Sequence, residues 1–228
     1  MTDARRYDAD ASRNAIIDAA ARLFIEKGFD GASMSQLAKA AGVTKSLIHH
    51  HFGSKESLWD AVKVGLFAGY HEMQMAMLRE GTPSEELLRQ SIEGYFTFLR
   101  RNPMAVRLKS WLMLEEADDA HCEEMNLELM SLGVQRIREG QGPGGYIRPD
   151  IPAEFILVTF LSIVDGWFRS REPNVAALRA SGRMRADQRL EDFDGEYLDV
   201  AIRIFFEGVR PPGRSQASEH GSGGRTTH

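Results

Sequence analysis

The chain has 228 residues, 43% of them hydrophobic and 27% charged, with a formal net charge of −5. That length holds one large domain or a small domain joined to a larger one, and the apolar fraction is enough to bury a core. The acidic balance excludes a generally basic coat for nucleic acid, so any contact with a polyanion must be confined to a local patch.

Residues 1–11 are polar and of mixed charge, and read as a loose N-terminal arm. From 12 to 27 the pattern is helical: Ile16, Ile17, Ala20, Leu23 and Phe24 make one apolar face, Gly28 ends it, and Phe29 folds back onto the same core. Residues 33–55, SMSQLAKAAGVTKSLIHHHFGSK, carry the densest local signals. Ser33 with Gln36 three positions on is a capping box. Leu37, Ala40 and Ala41 share a helical face, and Gly42 supplies a left-handed stop. Val43 plugs the turn, and Thr44 caps a second helix with Leu47, Ile48 and Phe52 as its buried face. Gly53 ends that helix. Helix, glycine turn, helix is the helix-turn-helix plan.

Ser54 opens a long helix to about residue 80, with Leu58, Val62, Leu66, Gly69, Met73 and Met77 at spacings of three or four. At about 1.5 Å per residue it spans roughly 40 Å, a lever between the first three helices and whatever lies beyond. Gly81, Thr82 and Pro83 break the chain. Further helices are predicted over 84–101, about 104–116, about 121–138, 153–170 and 190–208, with a short one around 175–180 in a stretch broken by Pro173 and Gly182. The 153–170 helix is apolar nearly all round and must be buried on most sides. The loop 141–152, QGPGGYIRPDIP, contains Gly-x-Gly, but a nucleotide site needs a strand before it and a helix directly after it, and neither is indicated. The end of the chain, 210–228, is rich in Gly and Ser and reads as a disordered tail. No strand is predicted, so the fold is all-α.

Charge singles out the helix-turn-helix. Between Asp30 and Glu56 there is no acidic residue, while Lys39, Lys45, Lys55 and the triple His49, His50, His51 all lie there. A surface meant for phosphates must exclude carboxylates, which would repel the backbone. In this plan the start of the second helix meets base edges in the major groove. Lys45 can donate to guanine or to phosphate, and Thr44 and Ser46 to either. Three consecutive helical histidines point about 100° apart and cannot converge on one ion, so no metal site is expected, and no cofactor either.

The runs AAARLFIEKGFDGAS, LAKAAGVTKSLIHHHF and SKESL together resemble the DNA-binding region of the tetracycline-repressor (TetR) family of transcription regulators. The segment GYIRPDIPAEF is similar to that family's connection into the penultimate helix. The resemblance implies a three-helix DNA-binding head over 12–57, and a helical effector-binding and dimerisation domain over 58–209. It implies DNA contacts at Ser33, Thr44, Lys45, Ser46, His49, His50 and Lys55. Related sequences carry tyrosine where His49 stands, so a shorter, titratable group replaces a phenol there. Arg5 and Arg6 are candidates for an arm contact. The effector pocket is expected among Met73, Met77, Tyr95, Phe96, Trp111, Met113, Phe160 and Trp167, since aromatics and methionines make adaptable apolar pockets.

The last two helices offer more apolar surface than one subunit easily covers, so a homodimer interface is expected through Phe160, Val164, Phe168, Phe193, Tyr197, Ala201, Ile204 and Phe205. The expected partners are an operator duplex, a small effector and a second copy. A lone cysteine, Cys122, suits a reducing cytoplasm. The start lacks the apolar run of a signal peptide, and the longest apolar run, 155–164, is too short to span a membrane. No G-x-S-x-G, H-E-x-x-H or P-loop occurs, so catalysis is not expected. The alternative is a helix-turn-helix protein that takes no ligand.

Overall fold

The computed structural model describes residues 3–112 and 120–212, with side chains described over 11–110 and 126–212. Among the described residues the fold is all-α, as expected: α1 Asp3–Gly31, α2 Met34–Ala41, α3 Lys45–Phe52, α4 Lys55–Glu80, α5 Glu85–Arg101, α6 Pro103–Leu112, α7 Ala120–Gly140, α8 Ala153–Arg169, α9 Arg171–Ala180 and α10 Asp194–Val209. A 3-10 turn, Leu190–Phe193, leads into α10.

Two large cores, with a smaller cluster of Met75, Leu78, Leu87 and Leu129 beside them, organise these helices. The head core joins Ile16 and Phe24 of α1, Leu37 of α2, Ile48 and Phe52 of α3, and Leu58, Trp59 and Val62 of α4. Gly28, at φ 74°, interrupts α1, a left-handed conformation that glycine adopts without strain. The chain then turns so that Phe29 lies over Phe24, ring centroids 5.9 Å apart. Leu108 of α6 closes the same core and is fully buried. The body core is larger: α5 supplies Ile92, Phe96 and Leu99, α8 supplies Ile156 and Val164, and α10 supplies Ile202 and Phe206.

Four expectations are corrected here. The helix begins at Asp3, so residues 3–11 are not a loose arm: the stretch contains no Gly or Pro to break a helix that continues into residues 12–27. The side chains of Arg5 and Arg6 lie outside the described residues. The second half of α4 turns a different face inward: Gln74, Met75 and Leu78 are buried, whereas Gly69 is exposed and Met73 is 44% exposed. Polar Gln74 is buried because its amide donates to the Ser91 carbonyl (3.0 Å) and accepts from the Ser91 hydroxyl (2.9 Å), so no apolar periodicity could reveal this face. Helix α9 begins at Arg171, ahead of Pro173, because proline in the first turn lacks only an N–H that would have no helical partner there. Arg210, placed in the tail, is docked on Glu85 through two hydrogen bonds. The rest of that tail, 213–228, lies outside the described residues.

The loop before α8 is fixed by backbone. Ile147 N–H donates to Gly140 O (3.0 Å), and Arg148 N–H donates to Val209 O (2.8 Å). A side chain at Gly145 would place its Cβ 2.0 Å from Gly140 O. Gly145 thus lets the loop fold tightly back on the end of α7.

Candidate nucleic-acid interface and effector cavity

The local chemistry of residues 33–55 fixes the recognition helix. Ser33 Oγ accepts from Gln36 N–H (3.3 Å), and Gln36 Oε1 accepts from Ser33 N–H (3.0 Å), the reciprocal capping box. At the other end of α2, Gly42 is left-handed at φ 67°. Its N–H donates to Lys39 O (3.3 Å) while Val43 N–H donates to Ala38 O (3.0 Å), which satisfies two of the last carbonyls in a Schellman motif. Thr44 Oγ1 then accepts from Leu47 N–H (3.2 Å) and aims α3. With Ile48 buried beneath it, α3 leaves Lys45, Ser46, His49 and His50 exposed, together with the caps Ser33 and Thr44.

Two of the candidate contact residues have further commitments. His49 Nδ1 lies 2.8 Å from Gly53 O. A carbonyl only accepts, so Nδ1 carries the proton and the neutral ring presents a bare lone pair at Nε2. Lys55 is half-buried, its Nζ 4.2 Å from the centroid of the Phe29 ring, a cation–π seat that fixes a charge at the start of α4. His50 and His51 rings are 5.6 Å apart. Among the described residues no group of three His, Cys, Asp or Glu side chains is placed to hold a metal.

The body holds a small cavity of about 40 Å³ between α4, α5, α7, α8 and α10, room for a few water molecules and well below the ~300–1,000 Å³ usual for small-molecule sites, so a guest must open it further. Tyr70, Gln74 and Leu78 of α4 form one wall, and Leu129, Met130 and Gly133 of α7 another; Leu157 and Phe160 of α8 and Phe205 of α10 close it. Of the expected pocket residues whose side chains are described, only Phe160 lines this space. Met73 faces a shallow groove with Gly94 and Phe98, and Met77 is half-buried outside the cavity. Tyr95 and Phe96 are core. Trp167 is buried, donating from Nε1 to Asp194 Oδ1 (2.8 Å) and stacked on Tyr197 at 4.1 Å. Met113 and the Trp111 side chain lie outside the described residues. Sequence reading weighted aromatics and methionines, and so passed over the polar pair Gln74 and Ser91.

Beside the cavity sits a polar cluster. Asp165 of α8 accepts from Tyr95 Oη (2.6 Å) and pairs with Lys109 of α6 (2.8 Å), which also reaches the Tyr95 hydroxyl. Tyr70 stacks near Tyr95, centroids 5.5 Å apart. Burial, then the Asp165 charge, push the Tyr70 hydroxyl well above the ordinary phenol range, while a hydrogen bond from Gln74 opposes the shift. The Tyr95 hydroxyl is raised for the same first two reasons.

The predicted interface residues mostly face inward. Phe160, Val164, Phe168, Phe193 and Phe205 are buried within the protomer, and Tyr197 and Ala201 are half-buried. Of that set Ile204 alone is exposed, at 59%, and the outward apolar groups of α8 are Phe155 (66%) and Val158 (58%). An apolar-all-round helix gives no sequence cue to which side the protomer fills. Among the described residues no helix is long and apolar enough to cross a membrane.

A capped, acid-free helix-turn-helix on a helical body with an internal cavity defines a DNA-binding transcriptional regulator. The sequence pattern of "Bacterial regulatory proteins, tetR family" matches residues 16–62, and that of "Tetracyclin repressor-like, C-terminal domain" matches 90–191. The HTH-type transcriptional repressor AcnR of Corynebacterium glutamicum is 30% identical over 161 residues, covering 70% of this chain and 81% of that protein. The HTH-type transcriptional repressor NicS of Pseudomonas putida is 28% identical over 155 residues, covering 66% of this chain and 72% of its own length. The crystal structure of AibR with isovaleryl coenzyme A and operator DNA shares the fold, with a TM-score of 0.65 at 20% identity over 86% of this chain and 98% of that one. The chain belongs to the TetR family of transcriptional regulators.

Proposed function

We propose that this regulator is a cytoplasmic repressor that holds a twofold operator as a homodimer, and leaves it when a small, largely apolar effector enters the cavity behind α4. The observation that carries this reading is that one helix, α4, both walls the head core with Leu58 and Val62 and walls the cavity with Tyr70 and Gln74. A guest pressing on the upper half of α4 acts on the element that sets the head's position. A second connection runs from Tyr70 to Tyr95 and Asp165, on to Lys109, and through α6 to Leu108 in the head core. The guest must bind the operator-free arrangement better, and DNA then weakens guest affinity by the same factor.

On the duplex, Lys45 and Ser46 read base edges while Ser33, Thr44, His49, His50 and Lys55 meet the backbone. The second copy docks on the face carrying Phe155, Val158 and Ile204. Repression, as opposed to activation, is favoured because AcnR and NicS are both repressors by name. The test is a footprint of the purified protein on DNA flanking its own gene. A protected dyad with half-sites about 34–36 Å apart supports the reading, and a single unpaired half-site overturns the twofold arrangement.

His49 is exposed and its Nδ1 is committed to Gly53 O (2.8 Å), so Nε2 is the ring atom left to face the duplex. A His49→Ala variant is expected to weaken operator binding at fixed pH and ionic strength, read by fluorescence anisotropy, and unchanged affinity removes this contact.

A further inference from the structure

We propose a second ligand site, separate from the α4 cavity: the cleft bounded by α5, α6, α8 and the start of α9 takes an organic anion, a carboxylate or phosphate head on a short apolar body. The inference goes beyond the effector reading above and does not depend on it.

The cleft measures about 540 Å³, inside the ~300–1,000 Å³ range of small-molecule sites that the α4 cavity falls short of. Leu99 of α5, Val106 of α6 and Phe168 of α8 supply its apolar wall. Leu99 and Phe168 are anchored in the body core, so packing holds this surface in shape without a ligand. A hydrocarbon body laid against it leaves water, which favours binding.

Charge decides the head group. Four arginines line the cleft, Arg100, Arg107, Arg169 and Arg171, against two acids, Glu191 and Asp194. Both acids are engaged. Glu191 pairs with Arg171 and, at 3.6 Å, with Arg189. Buried Asp194 accepts from Trp167 Nε1 at 2.8 Å. Among the described residues Arg100 and Arg107 have no carboxylate partner. Arg100 stands in the last turn of α5, where a cation offsets the helix dipole. Arg107 has no such duty: it sits midway along α6, exposed, on the wall of the cleft. A guanidinium presents paired N–H donors that match two oxygens of a carboxylate or a phosphate. The low-dielectric wall beside these heads focuses their field into the cleft. An ammonium there meets like charge, and an alcohol leaves the guanidinium unmatched.

The wall and the cation share one helix. Val106 and Arg107 immediately precede Leu108, which closes the head core. An occupant of the cleft therefore bears on the head through α6, independently of α4.

The test uses the full chain without DNA and four probes on one skeleton at neutral pH: 4-phenylbutyrate, 4-phenylbutyl phosphate, 4-phenyl-1-butanol and 4-phenylbutylamine. Titration calorimetry is expected to show at least one anion binding roughly tenfold or more tighter than the alcohol or the amine. The stronger of the two anions names the head group, and its affinity should fall as salt is raised. Arg107→Gln should bring that anion down to the level of the alcohol, and a further Arg100→Gln should add little or deepen the loss. Arg185→Gln, an exposed arginine outside the cleft, should change nothing. Equal binding of anions and alcohol overturns the proposal, as does binding by none of the four up to solubility. So does an anion affinity that Arg107→Gln leaves unchanged, which would place the ligand elsewhere, or one that Arg185→Gln lowers equally, which would reduce it to general charge attraction. Because binding is read without DNA, failure of the α4 effector reading would leave these outcomes unaffected.

Discussion

A Lys45→Ala variant is expected to lose operator affinity by roughly 30- to 10⁴-fold while folding normally. Each good side-chain contact to a base edge contributes about 1–3 kcal/mol of discrimination, and a dimer uses the residue twice. The fold should be indifferent, because Lys45 is exposed and the cap on α3 comes from Thr44, whose Oγ1 accepts the Leu47 N–H; exposed substitutions of this kind stay within about 0.5 kcal/mol. Anisotropy on operator and scrambled duplexes at several salt concentrations separates two roles. A base contact predicts selective loss on the operator. A phosphate contact predicts equal loss on both, with the salt slope reduced by about one per half-site. Unchanged affinity on both duplexes would remove Lys45 from the interface.

What the sequence reveals follows from how local each feature is. The ends of α2 and α3 were legible because Ser33, Gln36, Gly42, Thr44 and Gly53 act within a few residues of themselves, through bonds found here at 2.9–3.3 Å. The inward face of upper α4 was not. Continuing the Leu58, Val62, Leu66 series leads to Met73, whereas the protein buries Gln74, because a partner seventeen residues away in sequence, Ser91, satisfies the amide. The cavity inherits that difficulty, since this long-range pair lines it together with Tyr70. The outward face of α8 was hidden differently: Phe155 and Val158 are as apolar as the buried Phe160 and Val164, so composition alone could not separate surface from core. The helix through residues 3–11 has no apolar stripe to announce it.

The largest stability effect is expected at Leu108→Ala, with a loss of about 2–5 kcal/mol, the range for emptying a fully buried leucine site. Leu108 belongs to α6 yet is buried in the head core with Phe24, Ile48 and Leu58. Its neighbour Lys109 pairs with Asp165 of the body. A three-helix head of some fifty residues is too small to be comfortably stable alone, so α4 and α6 complete its wall. Because a whole domain is stable by only about 5–15 kcal/mol, the loss at Leu108 should fall first on the head. Trp59 in the head core and Trp167 in the body core are natural reporters of the two parts. With Trp111 replaced by phenylalanine throughout, single-tryptophan versions of wild type and variant can be unfolded in urea. The Trp59 transition is expected to move to lower denaturant while the Trp167 transition moves less. Equal displacement of both would mean that head and body unfold as one cooperative unit. A loss below about 1 kcal/mol, less than the low end of such substitutions, would mean that α6 does not seal the head, and the α6 connection between cavity and DNA would fall with it.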